Sequence, residues 1–357
     1  MAVLVVYASL YPFTGWRWPV GSGPAALLVL PWPPWQTPLD EAFNFAGYLP
    51  LGLLVTVAAV HSGLRLRTAL LLALLLPALL SYATEVTQHL LPGRHPSLKD
   101  WLMNVLGALT GALLAALLHL SGLLQRWRRL RQRWFARQSA GALALLTLWP
   151  VGLLFPAPVP WGLGQLGGHL REALQHLLTD VPWADGLALV LAPSPVLQPL
   201  SPLAERLASL LGLLSPVLLA YAVTRPGLRR LVLAIGALGM GFVAMTLSTL
   251  LNFGPSHALA WLTPAAAVGA VGAALAAAAA LPLPRRLVMA LGLMVLTALL
   301  ALVHQAPTDP YFAQTLQAWE QGRWVRFHGL AQWVGWLWPF AAIAWLLMRL
   351  SARGAAS

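Results

Sequence analysis

Between residues 81 and 111, a chain that for most of its length avoids charge reads SYATEVTQHLLPGRHPSLKDWLMNVLGALTG. Glu85, Gln88, Arg94, His95, Lys99, Asp100 and Asn104 stand within it. Glu85 and Gln88, three apart, share one face of a helix; Asp100 and Asn104, four apart, share one face of the next. The break LPGRHPS turns the chain back, so the two polar faces can meet. Asn44, near the start of an earlier apolar run, ends on the same side. A carboxylate within a membrane helix costs about 2.5–3.5 kcal/mol at the centre and less near the surface, so Glu85 needs a partner. Arg94 is the nearest cation, and a bidentate guanidinium–carboxylate pair would satisfy both. Arg94, His95 and Lys99 are suited to hold a phosphate or pyrophosphate, with Asn44, Gln88 and Asn104 as further binding residues. Glu85 and Asp100 are the candidates for general acid or base. Two other uses of the same residues stay open: a protonation site in a transporter, or a polar clasp that fixes two antiparallel helices. No complete nucleophile–base pair is present. Glu85 and His89 alone do not make a metal site, so neither a metal nor a cofactor is expected.

Composition says what must position these groups. Of 357 residues, 59% are hydrophobic and 9% charged, against about 25% charged in soluble domains. The expected fold is an all-α, polytopic transmembrane helical bundle. A span needs about 20 mostly apolar residues. That rule gives about ten: 1–14, 42–62, 68–91, 99–120, 139–156, 203–223, 230–251, 258–281, 286–305 and 330–350. With no cysteine, disulfides and thiolate metal sites are excluded. Net charge is +12, but the basic residues fall in short blocks between apolar runs, which excludes a nucleic-acid surface. The blocks at Arg65 and Arg67, Arg126 to Arg137, Arg225 to Arg230, Arg285 and Arg286, and the tail hold 15 of the 22 Lys and Arg. Ten spans put all of them on the side of both termini, expected to be the cytoplasm. All ten acids then lie toward the other compartment.

A resemblance joins the two readings. E-x-x-Q, P-G-R, then D-x-x-x-N-x-x-G-x-x-x-G over residues 85–111 resembles the VanZ family of membrane proteins. The segment Asp40-Glu41-Ala42-Phe43-Asn44-Phe45, followed by Tyr48 and Leu51-Gly52, resembles that family's D-K-x-x-H-F-x-x-Y-x-x-L-G element. Glu41 stands for the usual lysine and Asn44 for the usual histidine, so a mechanism that needs a base at position 44 is in question. The resemblance covers residues 1–120 and implies a VanZ-like transmembrane domain. A basic linker at 121–138 and a second transmembrane helical domain at 139–357 would follow. The family's name-giving member is associated with resistance to the glycopeptide teicoplanin, and the family has no settled biochemical activity. For this chain it implies a bacterial cytoplasmic membrane. The partners to expect are membrane lipids or a lipid-linked envelope precursor.

Three other stretches stand out. Residues 121–138, SGLLQRWRRLRQRWFARQ, read as a basic segment drawn to anionic headgroups, as a topology signal, or both. Leu166, Leu170, Leu174 and Leu177 lie at helical spacing, with His169, Glu172 and His176 on other faces, which predicts an amphipathic helix on the outer surface. Residues 306–329 predict a second such helix at the interface, or a lid over the outer face of the first half. The glycines of 107–111 and the alanines of 273–282 predict close helix packing.

Overall fold

The computed structural model describes residues 1–10, 13, 15–21, 23–33, 38–136, 138–178, 200–306 and 328–354. Among them the chain is helical, with one isolated β-bridge between Phe135 and Thr224. The helices are α1 Ala2–Leu10, α2 Pro24–Leu27, α3 Pro38–His61, α4 Leu66–Gln88, α5 Leu98–Leu120, α6 Leu123–Trp134, α7 Ala140–Leu153 and α8 Leu166–Leu178. Then come α9 Pro202–Ala222, α10 Leu228–Phe253, α11 Pro264–Ala280, α12 Arg285–Val303 and α13 His328–Gly354. By length and composition, seven of these can cross a membrane: α3, α4, α5, α9, α10, α12 and α13. The other three expected spans are shorter in the structure. α1 covers 9 residues, α7 covers 14 and α11 covers 17. The expected helix within 306–329 lies outside the described residues except at its ends.

The chain divides into two compact units, Met1–Arg131 and Gln132–Ser357. In the first, α3, α4 and α5 pack on one another, and Val5 of α1 joins Tyr48, Leu51 and Ala108 in a small core. The sequence explains the seam. On α5 the buried residues are Asn104, Gly107, Ala108, Gly111, Ala112, Ala115 and Ala116, one helical stripe of small side chains ending in an amide. On α4 the buried stripe runs Ala69, Ala73, Pro77, Ser81 and Glu85, every fourth residue, from small to charged. Each seam is therefore apolar and close-packed along its length and polar at one end. The approach of α5 to α3 is backbone on backbone. A Cβ on Gly107 would stand 2.1 Å from the Phe45 carbonyl oxygen, and one on Gly111 would stand 1.9 Å from that of Leu49. Gly52 of α3 meets Ala108 in the same way, at 1.9 Å. Leucines such as Leu71, Leu75, Leu79, Leu113 and Leu117 face outward, as hydrocarbon-facing positions require.

The second unit is built on α9, whose residues Gly212–Ala222 are all buried. A helix apolar all round belongs inside a bundle, and α7, α10, α11 and α12 surround this one. Gly269 of α11 lets that helix close on α9, where a Cβ would come within 2.8 Å of the Arg206 carbonyl oxygen. Trp161 anchors the centre: its indole donates to the Gly241 carbonyl at 3.0 Å and meets Trp261 edge-on. Arg230 belongs to the basic block Arg225 to Arg230. It is fully buried. Its guanidinium donates to the carbonyls of Leu281 and Leu283 at 2.9 and 2.6 Å, and of Tyr221 at 3.2 Å, and lies over the Tyr221 ring. Arg285 adds two bonds to the Ala222 carbonyl, at 2.9 and 2.8 Å. Cations thus sit on the carbonyl ends of α9 and α11, where the helix dipole is negative.

Candidate functional site

The polar ends of the α4 and α5 seams lie together, at the end of the first unit where α3 begins, α4 stops and α5 begins. Ser97 is the pivot. Its φ of −145° and ψ of 127° make it the N-cap of α5, and its Oγ accepts from the Asp100 amide at 3.2 Å. In an ordinary capping box the acidic residue three positions on would reach back to the cap's own N–H. Here Glu85 of α4 takes that N–H instead, at 2.9 Å, from a position only 5% exposed. Asp100 is met by α3 instead, where Asn44 Nδ2 donates to its Oδ1 at 2.5 Å. The cap is shared across three helices. Both carboxylates also stand at the positive end of the α5 dipole, which offsets part of the cost of holding them there.

One layer deeper, Asn104 Nδ2 donates to Ser81 Oγ at 2.9 Å, joining α5 to α4 inside the seam. Among the described residues, the Asn104 carbonyl oxygen and the Tyr48 hydroxyl are buried and make no hydrogen bond of normal geometry. The Tyr48 ring is 4% exposed, and its hydroxyl lies beside Ser81, Thr84 and Glu85.

The outer layer differs from the expectation. Arg94 does not pair with Glu85. Its Nη2 donates to the Ala8 carbonyl at 3.1 Å, and Gln88 Nε2 donates to that of Ser9 at 2.8 Å. Both side chains therefore hold the last carbonyls of α1, a natural place for a cation and an amide donor. Glu85 takes its hydrogen bond from the Ser97 amide, and Arg94 acts on it only through space. Lys99 Nζ pairs with Glu41 at 2.5 Å, both about a quarter exposed, an arrangement worth about 0–1 kcal/mol. His95 is exposed at the turn. The strap before α3 crosses the same end: the Arg17 amide donates to the Leu90 carbonyl at 2.9 Å, the Leu98 amide to that of Pro31 at 2.9 Å, and Tyr82 to that of Leu28 at 2.5 Å.

The structure thus joins Asn44, Glu85 and Asp100 through Ser97, ties Asn104 to Ser81 one layer deeper, and sets Arg94, His95 and Lys99 at the same end. Ser81, Ser97, Tyr48 and Arg17 carry parts of the site that charge and spacing did not single out. Tyr48 had one signal, its place seven residues after Glu41 in the first motif; Ser81 had another, four residues before Glu85 on the same stripe. A family model described as VanZ/LLP1 matches residues 3–119.

Residues 3–119 carry a VanZ/LLP1 domain.

The match takes in all but the first residue of α1, then α2, α3, α4 and all but the last residue of α5, hence every bond of the cluster. The VanZ/LLP1 domain is followed by a further helical region that the match does not reach. No curated protein and no solved structure matches the chain. With seven helices fit to cross a bilayer, this is a multi-pass membrane protein. Among the described residues, no group of three or more His, Asp or Glu is placed to share a metal ion.

Proposed function

We propose that the VanZ/LLP1 domain binds the anionic headgroup of a lipid or lipid-linked envelope precursor at its polar end, on the outer leaflet of a bacterial cytoplasmic membrane. The observation that carries this reading is the buried Asn104 carbonyl oxygen, without a hydrogen-bond partner among the described residues, at the same end as the buried Tyr48 hydroxyl and Glu85, where the α4–α5 turn bears Arg94 and His95 and α5 opens with Lys99. Cations suit a phosphate, with Asn44, Gln88 and Asn104 completing the polar lining. Glu85 and Asp100 would accept from hydroxyl or amine groups of the same headgroup, or exchange a proton with it. Ten crossings, with α1, α7 and α11 lengthened by their flanking residues, would put the polar end outside, away from the arginine blocks and from both termini. A role in the envelope or in glycopeptide resistance would follow from which lipid is held.

One observation favours a second reading, a polar clasp without a ligand: Asn44, Glu85, Gln88, Arg94 and Lys99 each bond within the unit. Native mass spectrometry of the purified protein, with thermal melting alongside, separates the two. For the headgroup site, Arg94→Ala loses a copurified lipid while the melting temperature holds. If Arg94→Ala and Glu85→Gln both lower the melting temperature sharply and the lipid complement does not change, the clasp stands and the site fails.

A further inference from the structure

At the far end of the first unit, α6 carries a pattern that the polar cluster does not use. Its sequence, LLQRWRRLRQRW, holds five arginines and no acid. Leu123, Trp127 and Leu130 are spaced four and three apart, so they form one stripe, and they are 45%, 55% and 44% exposed. Arg126 and Arg131 flank that stripe, while Gln125 and Arg129 fall on the opposite side of the helix. All of these are exposed. A stripe of leucine and tryptophan open to its surroundings is not a core face. With arginines along both edges, it has the form of a helix lying at a membrane surface.

Position agrees with form. α6 follows the end of α5 after a turn at Gly122, whose φ is +71°, so it starts where a hydrophobic span stops. Arg128 is hydrogen-bonded to His61 Nδ1 at 2.7 Å, which ties α6 to the last residue of α3. Arg65, before α4, and Arg67, in its first turn, lie at that same end. The first unit is thus split by charge. Asp40, Glu41, Glu85 and Asp100, all the acids before residue 132, lie at or near the other end.

We infer that α6 lies in the membrane plane, with its leucine–tryptophan stripe in the headgroup layer and its arginines on anionic lipid phosphates at the basic end. Charge decides the partner. A neutral bilayer offers the stripe a place to insert but gives the arginines nothing, whereas an anionic leaflet rewards both faces. The inference is independent of the headgroup site proposed above and concerns residues beyond the family match.

The chain has no cysteine, so single cysteines report cleanly. The test uses the full chain, with Leu130→Cys or Gln125→Cys labelled with an environment-sensitive fluorophore. Each is placed in nanodiscs of phosphatidylcholine alone or with phosphatidylglycerol. The expected result in anionic discs is a blue shift of the Leu130 probe, quenching by nitroxide lipid and protection from acrylamide, with the reverse at Gln125. In neutral discs the Leu130 shift shrinks. Arg126→Gln combined with Arg131→Gln abolishes the difference between the two lipids without lowering the melting temperature. Equal acrylamide access at both positions in anionic discs overturns the inference. So does equal shielding of Leu130 in both lipids, or lipid preference that survives loss of the two arginines.

Discussion

Replacing Asn44 with alanine removes the one described hydrogen bond that links α3 to Asp100, and leaves a partly buried carboxylate short of a donor. A bond to a charged group contributes about 1.5–3 kcal/mol. Asn44→Ala is therefore expected to lower the stability of the purified protein by that order, read from its thermal melting in detergent. Asn44→Asp should be worse, because it sets two carboxylates against each other where a donor stood. The contrast between the two variants tests whether hydrogen bonding, and not side-chain volume, matters at position 44. Arg230 is the corresponding residue of the second unit. Its guanidinium spans carbonyls at the ends of two helices, a reach that a single ammonium cannot copy. Arg230→Lys should cost on the order of 3 kcal/mol by leaving buried carbonyls unpaired. A melting curve indistinguishable from the parent would refute the clamp.

Glycine at 107 and 111 holds α3 and α5 together by being absent as a side chain. The atoms that an added methyl would strike belong to the α3 backbone, which cannot rotate aside as a side chain can. Gly107→Ala or Gly111→Ala should thus separate the helices and cost at least the roughly 1–3 kcal/mol of an overpacked core. The polar cluster would come apart with them, since Asn44 reaches Asp100 only while α3 and α5 touch. Gly47, on α3 with nothing within 4 Å, is the control. Gly47→Ala should be neutral, or stabilise by up to about 1 kcal/mol through helix propensity. Equal losses at positions 47 and 107 in a melting comparison would show that the seam is not the cause.

Across the molecule the spans impose a polarity that can be tested directly. His95 and Gln125 are both exposed, at opposite ends of the first unit. In intact cells, a membrane-impermeant maleimide should label His95→Cys and leave Gln125→Cys unlabelled until the membrane is opened. Ser97 looks equally suitable from its loop position, but it is 2% exposed and caps α5, so a cysteine there would report disruption instead of location. Reversed labelling would place the polar end in the cytoplasm and move the proposed headgroup site to the inner leaflet.

Hydrophobic density, period and charge by themselves determined that the chain is a helical membrane protein, where α3, α4 and α5 run, and that Glu85, Asp100, Asn104 and Asn44 gather at one end. Those facts are local: a three- or four-residue period fixes a helix face, and a span fixes which end a residue occupies. The close glycine packing was readable for the same reason. Only tertiary structure decided who bonds with whom. Glu85 chose the Ser97 amide over Arg94, and Arg94 went to α1, because a buried group bonds to whatever donor or acceptor the packing brings within 3 Å, whether or not it is charged. Sequence lists side chains but not the backbone N–H and C=O groups that a fold leaves open at helix ends. Arg230 shows the same: its place in a basic block gave no sign that two helix ends would present their carbonyls to it and bury it.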